Sequence, residues 1–310
     1  MNTEKELIRL YRTRTFGEKL SDALDFVREN WRVLLKYITY LLLPVALVQT
    51  FCMNNFMSGY LSSATLLGGT QSDLEAILPL MTSMFGMVGV QYVGIMLLVA
   101  LTYTMMQLYE QRPRLHGVEW ADLGSGVMRL SLRMLVLFIT GFVLGIVLAL
   151  LMVLMIAISP LMIFPAVILM IAIIPFFMLV MPIYLFEDIS IVSAYAKSVR
   201  LGWKTWAGIA GVVFVLYLLV SIVQGVVSMP WYLMVMVKQI LALEGSESGF
   251  VTSFGYSAIQ YVLGVISTFC GSCLMTLPIV GLAYQYGHAC DKIDGVGVDR
   301  DIENFETLNA

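Results

Sequence analysis

Long stretches without a charged residue recur along this chain at lengths that match the thickness of a lipid bilayer. An α-helix rises ~1.5 Å per residue, so ~20 consecutive apolar residues span the ~30 Å hydrocarbon core. Six stretches meet this requirement and predict an all-α membrane protein with six transmembrane helices. Their positions are about 33–53, 84–108, 134–158, 161–185, 205–235 and 258–284.

The two middle spans come from one uncharged stretch that runs from Arg133 to Glu187. This stretch is too long for a single crossing. Ser159 and Pro160 lie near its centre, and proline ends or kinks a helix at the preceding residue because it lacks a backbone N–H group. We therefore predict that the third span ends at about residue 158 and that the fourth begins after a very short turn.

The amino-acid composition agrees with a membrane protein. Hydrophobic residues make up 59% and charged residues 13% of the chain, against about 45–50% and about 25% in soluble proteins. The net charge of −3 argues against a nucleic-acid partner, since such a partner requires a basic face. Membrane lipids are the predicted partners. Other membrane proteins are a second class of partner, and the sequence leaves the oligomeric state open.

The distribution of lysine and arginine predicts the orientation of the six spans. Cytoplasmic loops of membrane proteins are enriched in these residues. Seventeen of the 18 fall at the N-terminus, between spans 2 and 3, between spans 4 and 5, or after span 6, and only Lys238 falls on the other side. No cleaved signal peptide is expected at the start. We predict a bacterial inner-membrane protein with both termini cytoplasmic, divided into an N-terminal segment (1–32), a six-span membrane domain (33–285) and an acidic tail (286–310).

A short pattern, Val-Arg-x-x-Trp followed by a base, occurs at the predicted cytoplasmic ends of both span 1 and span 5. In both copies apolar residues recur at helical spacing on one face, and the bases lie on the polar side. This pattern is typical of an amphipathic helix in the membrane interface, with tryptophan at headgroup depth and the bases near phosphates. A weaker copy without the tryptophan precedes span 3. The predicted interface anchors are Arg28, Trp31, Arg32, Arg129, Arg133, Arg200, Trp203 and Lys204.

The three copies admit two interpretations. One is an internal repeat of three units, each an interfacial helix followed by an outward and a returning span. The other is that any span entering from the cytoplasm tends to begin with aromatic and basic residues. We favour a true repeat for the first and third copies, whereas the middle copy fits both interpretations equally.

Two short segments resemble a known family. The stretch PIYLFEDISIVSAYAKSVRLGWKTW and the N-terminal stretch RTFGEKLSDALDFVRENWR are similar to segments of bacterial six-span inner-membrane proteins. These proteins are grouped with the membrane domain of glycerophosphoryl diester phosphodiesterases. The resemblance implies the six-span layout but no activity, because the catalytic barrel would need roughly 200 or more further residues. In the first stretch it is carried by Pro182, Glu187, Ala194, Ser198 and Trp203.

No catalytic constellation is evident in the sequence. The middle of each predicted span lacks charged residues, so a proton relay of the kind used by pumps is not expected. His288, Cys290 and Asp291 lie just past span 6, where adjacent ligands do not form a metal cage, and we expect an exposed helix end there. Cys270 and Cys273 have a redox-like spacing, but within a span we interpret them as small apolar residues at a helix contact. We therefore predict no enzymatic activity, no metal and no cofactor.

Glu187 and Asp188 form the most prominent acidic pair, at the cytoplasmic end of span 4. Negative charge is favourable at a helix N-terminus, where the helix dipole is positive. We expect both carboxylates to cap the helix that follows, a structural role rather than a catalytic one.

Two features keep transport open as an alternative function. Prolines occur within several spans, and amide side chains such as Gln49, Gln91 and Gln224 are spread through the apolar stretches. Both also have an ordinary interpretation, since prolines are tolerated in membrane helices and amides pair across them. We predict a non-enzymatic accessory or scaffold protein that organises lipid or a membrane complex. The alternative is a transporter or flippase for a small neutral or lipid-like molecule.

Overall fold

A computed structural model of the chain describes residues 7–66, 74–112, 115, 117–243, 249, 251 and 253–297. These residues contain six helices and no strand, and all six helices are long and apolar enough to cross a membrane. The predicted all-α fold with six spans is therefore confirmed. Residues 298–310 of the predicted acidic tail (286–310) lie outside the described residues. The helices are α1 (Phe16–Leu66), α2 (Leu74–Gln111), α3 (Trp120–Ile158), α4 (Ile163–Phe186), α5 (Ile191–Leu243) and α6 (Phe254–Asp294).

The predicted interfacial segments before spans 1 and 3 continue into their spans within one helix. Helix α1 has 51 residues, which corresponds to about 77 Å at the usual rise and exceeds the ~30 Å hydrocarbon core more than twofold. Within α5 the backbone leaves the helical region only at Thr205, with φ −124° and ψ 17°. This kink coincides with the start of the predicted fifth span. The location of the segments in the interface stays a prediction.

The break between α3 and α4 lies at the predicted position. Helix α3 ends at Ile158, Ser159 is extended with φ −158° and ψ 132°, and a short 3₁₀ helix follows at Pro160–Met162. The Ser159 hydroxyl oxygen accepts a hydrogen bond from the backbone N–H of Leu161 at 3.4 Å. Proline fits here because the first position of a helix needs no N–H donor.

The helices are divided between two compact units. The first unit comprises the described residues within Met1–Val33, Val99–Tyr217 and Leu277–Ala310, and the second those within Leu34–Leu98 and Leu218–Thr276. Helices α3 and α4 belong wholly to the first unit, whereas the other four helices contribute to both.

The core of the first unit is formed by two helix segments that are buried on every side, 99–106 of α2 and 280–290 of α6. The Tyr103 hydroxyl group in this core donates to the carbonyl oxygen of Ile279 at 3.4 Å. Helices α3 and α4 instead carry many large apolar side chains outward, and Ile158 is 74% exposed. An apolar surface of this extent is unusual in a soluble protein and suits contact with lipid.

The second unit is built from the C-terminal part of α1, the N-terminal part of α2, the C-terminal part of α5 and the N-terminal part of α6. Two tyrosines connect these segments through their hydroxyl groups. Tyr256 donates to the carbonyl oxygen of Met234 at 2.6 Å, and Tyr261 donates to that of Leu47 at 2.9 Å.

Candidate functional site

The predicted acidic pair lies at the centre of a charge network in the first unit. Glu187 directly follows α4, and its Oε1 accepts hydrogen bonds from Lys197 Nζ and from the Tyr286 hydroxyl group, both at 2.6 Å. Asp188 Oδ1 accepts from Arg133 Nη1 at 2.6 Å. The two carboxylates therefore connect the end of α4 to α3, α5 and α6 by charge-assisted hydrogen bonds.

These contacts change the interpretation of Glu187 and Asp188 as helix caps. Helix α5 begins at Ile191, and the hydroxyl oxygen of the preceding residue, Ser190, accepts a hydrogen bond from the backbone N–H of Ser193 at 3.2 Å. This is the usual geometry of an N-terminal cap. The cap is thus Ser190. The two carboxylates stand too early in the chain to reach the first turn of α5 and form ion pairs instead.

Two of the predicted membrane anchors, Arg133 and Arg200, bind acidic residues of the protein. Arg133 also donates to the carbonyl oxygens of Glu187 and Ile189 at 2.8 and 3.3 Å, and its side chain is 17% exposed. Arg200 Nη2 lies 2.9 Å from both carboxylate oxygens of Asp294, yet 55% of its side chain remains exposed. Arg133 is therefore held within the protein, whereas Arg200 retains surface for a lipid phosphate.

The face that carries the repeated apolar residues is exposed in the second copy of the pattern and partly exposed in the first. Trp31 is 51% exposed and Trp203 is 78% exposed. The buried residues of the same segments, such as Ala23 and Ala194, lie on other faces. An exposed face of aromatic, apolar and basic residues is what contact with headgroups needs, but its placement in the membrane interface stays a prediction. The remaining predicted anchors are also exposed, namely Arg28, Arg32, Arg129 and Lys204.

The expectation of an exposed helix end at His288, Cys290 and Asp291 is wrong. His288 Nδ1 accepts a hydrogen bond from the backbone N–H of Arg14 at 2.9 Å, Asp291 Oδ1 accepts from that of Gly297 at 2.9 Å, and Cys290 is fully buried. The reason is that the segment before α1 packs onto this part of α6.

Arg14 holds that N-terminal segment in place and was not identified from the sequence. Its side chain is 1% exposed, and its Nε donates to Asp22 Oδ2 at 2.7 Å. Its Nη1 donates to the carbonyl oxygens of Leu10 and Arg12 at 2.9 and 3.1 Å, and the guanidinium group lies 4.7 Å from the centre of the Tyr284 ring. A buried cation with this many partners is a structural element.

The second unit contains a pocket of about 260 Å³ that is lined by all four of its helices. This volume is several times the ~30 Å³ that one water molecule occupies in the liquid. None of the described residues that line the pocket carries a charged side chain. Its polar lining consists of amide and hydroxyl groups, including those of Gln49, Thr50, Gln91, Gln224, Ser228 and Ser267.

Some of these polar groups pair across helices, as the sequence-based interpretation of the amides requires. Gln49 Nε2 of α1 donates to Gln91 Oε1 of α2. The hydroxyl groups of Thr50 and Thr268 lie 3.4 Å apart and connect α1 to α6. These pairs fix one wall of the pocket without any ionised group.

Gln224 is the most highly connected residue of the pocket. Its Nε2 donates to the hydroxyl oxygen of Ser228 at 2.8 Å and to the carbonyl oxygen of Ser267 at 3.1 Å. The hydroxyl groups of Ser228 and Ser267 are themselves 2.7 Å apart. Because a carbonyl oxygen only accepts hydrogen bonds, the contact with Ser267 fixes which end of the amide carries the nitrogen.

Two polar atoms of the pocket residues are covered by protein and have no hydrogen-bond partner, Gln224 Oε1 and Trp231 Nε1. A buried polar atom without a partner costs about 1–3 kcal/mol. Buried polar groups in native proteins are nearly always paired, so two such atoms in residues of one pocket require a reason.

Glycine residues allow the helices to approach closely around the pocket. A Cβ atom at Gly264 would lie 2.5 Å from Thr50 Cγ2 and 3.0 Å from Trp231 Nε1. A Cβ atom at Gly271 would lie 3.1 Å from Gln224 Oε1. Gly264 and Gly271 of α6 therefore allow the close approach of helices beside the two unpaired atoms.

No family model, curated protein or solved structure matches this chain. The resemblance to the membrane domain of glycerophosphoryl diester phosphodiesterases therefore stays a prediction that rests on two short segments.

Sequence reasoning found the amides of the pocket but missed Trp231 and the fact that these residues converge. A signal was present in the spacing. Gln224, Ser228 and Trp231 recur at i, i+4 and i+7 of α5, and Gly264 and Gly271 are two turns apart on α6, so each set lies on one helix face. The sequence does not state which faces meet.

Proposed function

We propose that the protein is a non-enzymatic integral membrane protein of the bacterial inner membrane that binds a neutral, lipid-like molecule in the pocket of the second unit. Through this binding it organises lipid or a membrane complex as an accessory protein. The observation that carries the proposal is the composition of the pocket lining, which combines many hydrogen-bonding groups with no charged side chain.

The uncharged lining favours a neutral ligand for a physical reason. A charged group loses its hydration on entering such a site, and a site without an opposite charge does not compensate for that loss. A neutral polar group loses less and regains hydrogen bonds from the amides and hydroxyl groups of the wall. Apolar residues such as Met53, Ile95 and Leu98 also line the pocket and provide a surface for an acyl chain.

The predicted orientation is compatible with access from the membrane. With both termini in the cytoplasm, Gln49, Gln91 and Gln224 fall in the halves of their predicted spans that face away from the cytoplasm. The pocket would thus be reached from the leaflet that faces away from the cytoplasm.

Native mass spectrometry of the full-length protein in mild detergent tests this proposal. We expect the wild type to retain a neutral lipid and the Gln224→Leu variant to lose it at least severalfold. Gln260→Leu is the matched control, because Gln260 is buried in the same unit and does not line this pocket. Equal retention by all three proteins, or retention of only charged lipids, would contradict the proposal.

A transporter or flippase is the second candidate, and one observation favours it. Pro230 lies inside α5 directly before Trp231, and proline leaves the carbonyl oxygen of Val226 without its helical partner. A helix weakened beside a binding pocket is a feature of transport proteins. Reconstitution in liposomes with a fluorescent neutral lipid separates the two functions. Flux that depends on the protein and on Gln224 would establish transport, and absence of flux with retained binding would establish the accessory role.

A further inference from the structure

Resting on the proposed function, we infer that the pocket recognises a neutral polyhydroxyl group, such as the sugar headgroup of an uncharged glycolipid. The inference depends on the shape of the pocket, on the positions of its unpaired atoms and on the chemistry of its walls.

The pocket is elongated because two antiparallel helix faces form one of its sides. Gln224 of α5 contacts Ser267 and lies beside Gly271 of α6, whereas Trp231 of α5 lies beside Gly264 of α6. Seven residues separate the two positions on each helix, which corresponds to about 10 Å along the axis. The two unpaired atoms are therefore at opposite ends of one side of the pocket.

The two ends require opposite hydrogen-bonding partners. Gln224 Oε1 is an acceptor and needs a donor, because its nitrogen is held by Ser228 and Ser267. Trp231 Nε1–H is a donor and needs an acceptor. A single hydroxyl group does not reach both ends. A ligand with several hydroxyl groups supplies a donor and an acceptor at each end, since every hydroxyl group does both.

The remaining walls fit the same chemistry. The hydroxyl groups of Thr50, Thr268 and Ser272 and the amide of Gln49 also line the pocket. Trp231 and Tyr232 add aromatic rings, with centroids 5.0 Å apart, against which the C–H face of a sugar ring packs. A diacylglycerol has only one hydroxyl donor, so it pairs with Gln224 Oε1 but has no second donor for the hydroxyl oxygens of the wall, whereas a sugar has several.

Both unpaired atoms are covered by neighbouring atoms, so a ligand reaches them when the side chains that cover them move aside. Because Gln224 Nε2 keeps its contacts with Ser228 and Ser267, this movement gives each unpaired atom a hydrogen bond without breaking those contacts. Binding should therefore change the environment of the Trp231 indole ring as well as fill the pocket.

The experiment compares four probes on the full-length protein in phosphatidylcholine nanodiscs, with bound fraction measured by native mass spectrometry. The probes are monoglucosyl-dioleoylglycerol, dioleoylglycerol, dioleoylphosphatidylglycerol and free glucose. We expect the glucosyl lipid to bind about 10-fold more tightly than dioleoylglycerol. Gln224→Leu and Trp231→Phe should each weaken its binding about 2- to 10-fold, and Gln260→Leu should leave it unchanged.

The outcomes separate this inference from the proposed function. If dioleoylglycerol binds as tightly as the glucosyl lipid in a Gln224-dependent way, the polyhydroxyl inference is overturned and neutral-lipid binding stands. If the phosphatidylglycerol binds as tightly as the neutral lipids, or none of the probes depends on Gln224, both fail. Gln224-dependent binding of free glucose at the affinity of the glycolipid supports the inference with a soluble sugar as the source. Because Trp231→Phe keeps an aromatic side chain but removes the indole N–H donor, it tests this hydrogen bond even where Gln224→Leu misfolds.

Discussion

The two units of this protein use polar residues in opposite ways. In the first unit the charged groups are bound to protein partners, as Arg14 is to Asp22 and Glu187 is to Lys197 and Tyr286. This unit also has buried neutral atoms without a partner, those of Thr102, Ser131 and Gln285, but none of these residues lines the pocket. In the second unit the pocket residues are amides and hydroxyl groups, and two of their buried atoms have no partner. The charge cluster is therefore a structural element, and these two unpaired atoms of the second unit differ from those of the first because they belong to residues that line one pocket.

The largest expected effect is the loss of a buried charge in the first unit. Replacement Arg14→Met keeps the apolar volume but leaves Asp22 and three backbone carbonyl oxygens, those of Arg9, Leu10 and Arg12, without their donor. We expect the free energy of unfolding to fall by about 3–5 kcal/mol, measured by denaturation in detergent. Arg28→Met is the control, because Arg28 is exposed, and should change stability by less than about 1 kcal/mol. Similar small effects for both variants would remove the structural role of Arg14.

A smaller difference is expected within the acidic pair. The Glu187 side chain is 21% exposed and binds Lys197 and Tyr286, whereas the Asp188 side chain is 86% exposed. Glu187→Ala should therefore destabilise the protein by about 2 kcal/mol, and Asp188→Ala by less than about 1 kcal/mol. Thermal denaturation of the two variants side by side measures this difference. A larger loss of stability in Asp188→Ala would contradict the expectation that the less exposed ion pair contributes more to stability.

The close approach of helices at the pocket predicts an effect on both stability and ligand retention. Gly264→Ala places a methyl group against Thr50 and Trp231, and we expect a loss of about 1–2 kcal/mol with reduced lipid retention. Gly225→Ala on α5 is the matched control, since a Cβ atom there meets no atom within 4 Å. It should retain lipid and gain slight stability from the higher helix propensity of alanine. Normal lipid retention by Gly264→Ala would place the ligand elsewhere.

The smallest effect concerns the exposed repeats. Trp31→Phe and Trp203→Phe should each change stability by less than about 1 kcal/mol, because both side chains are largely exposed. In variants whose only tryptophan is Trp31 or Trp203, fluorescence should be quenched by lipids brominated near the headgroup. Quenching by aqueous agents alone would refute the interface placement of that residue.

The sequence was sufficient for features that depend on local pattern. Uncharged length predicted six spans, and proline chemistry predicted the break at Ser159 and Pro160, because both are properties of contiguous residues. The sequence did not show that the segments before spans 1 and 3 are continuous with their spans, because the residues between Trp31 and Leu34 carry no signal for or against a break. It also did not show the kink at Thr205 in α5.

Features that depend on contacts between distant residues were not predictable. Glu187 was assigned to a helix cap because the acidic pair comes just before the predicted interfacial helix in the chain, whereas one of its two partners, Tyr286, is 99 positions away. Trp231 shares a helix face with Gln224 and Ser228, but this spacing alone does not distinguish it from a tryptophan at the membrane surface. Its role follows only from its position opposite Gly264 of another helix.

The most direct test of the central claim uses a variant in which Trp231 is the only tryptophan and the other four are replaced by phenylalanine. A brominated neutral lipid is titrated into nanodiscs that contain this protein, and Trp231 fluorescence is recorded. Binding in the pocket predicts quenching that saturates at low mole fraction and is relieved by Gln224→Leu. Quenching that instead rises in proportion to the lipid, with or without Gln224, would contradict a binding site in the second unit.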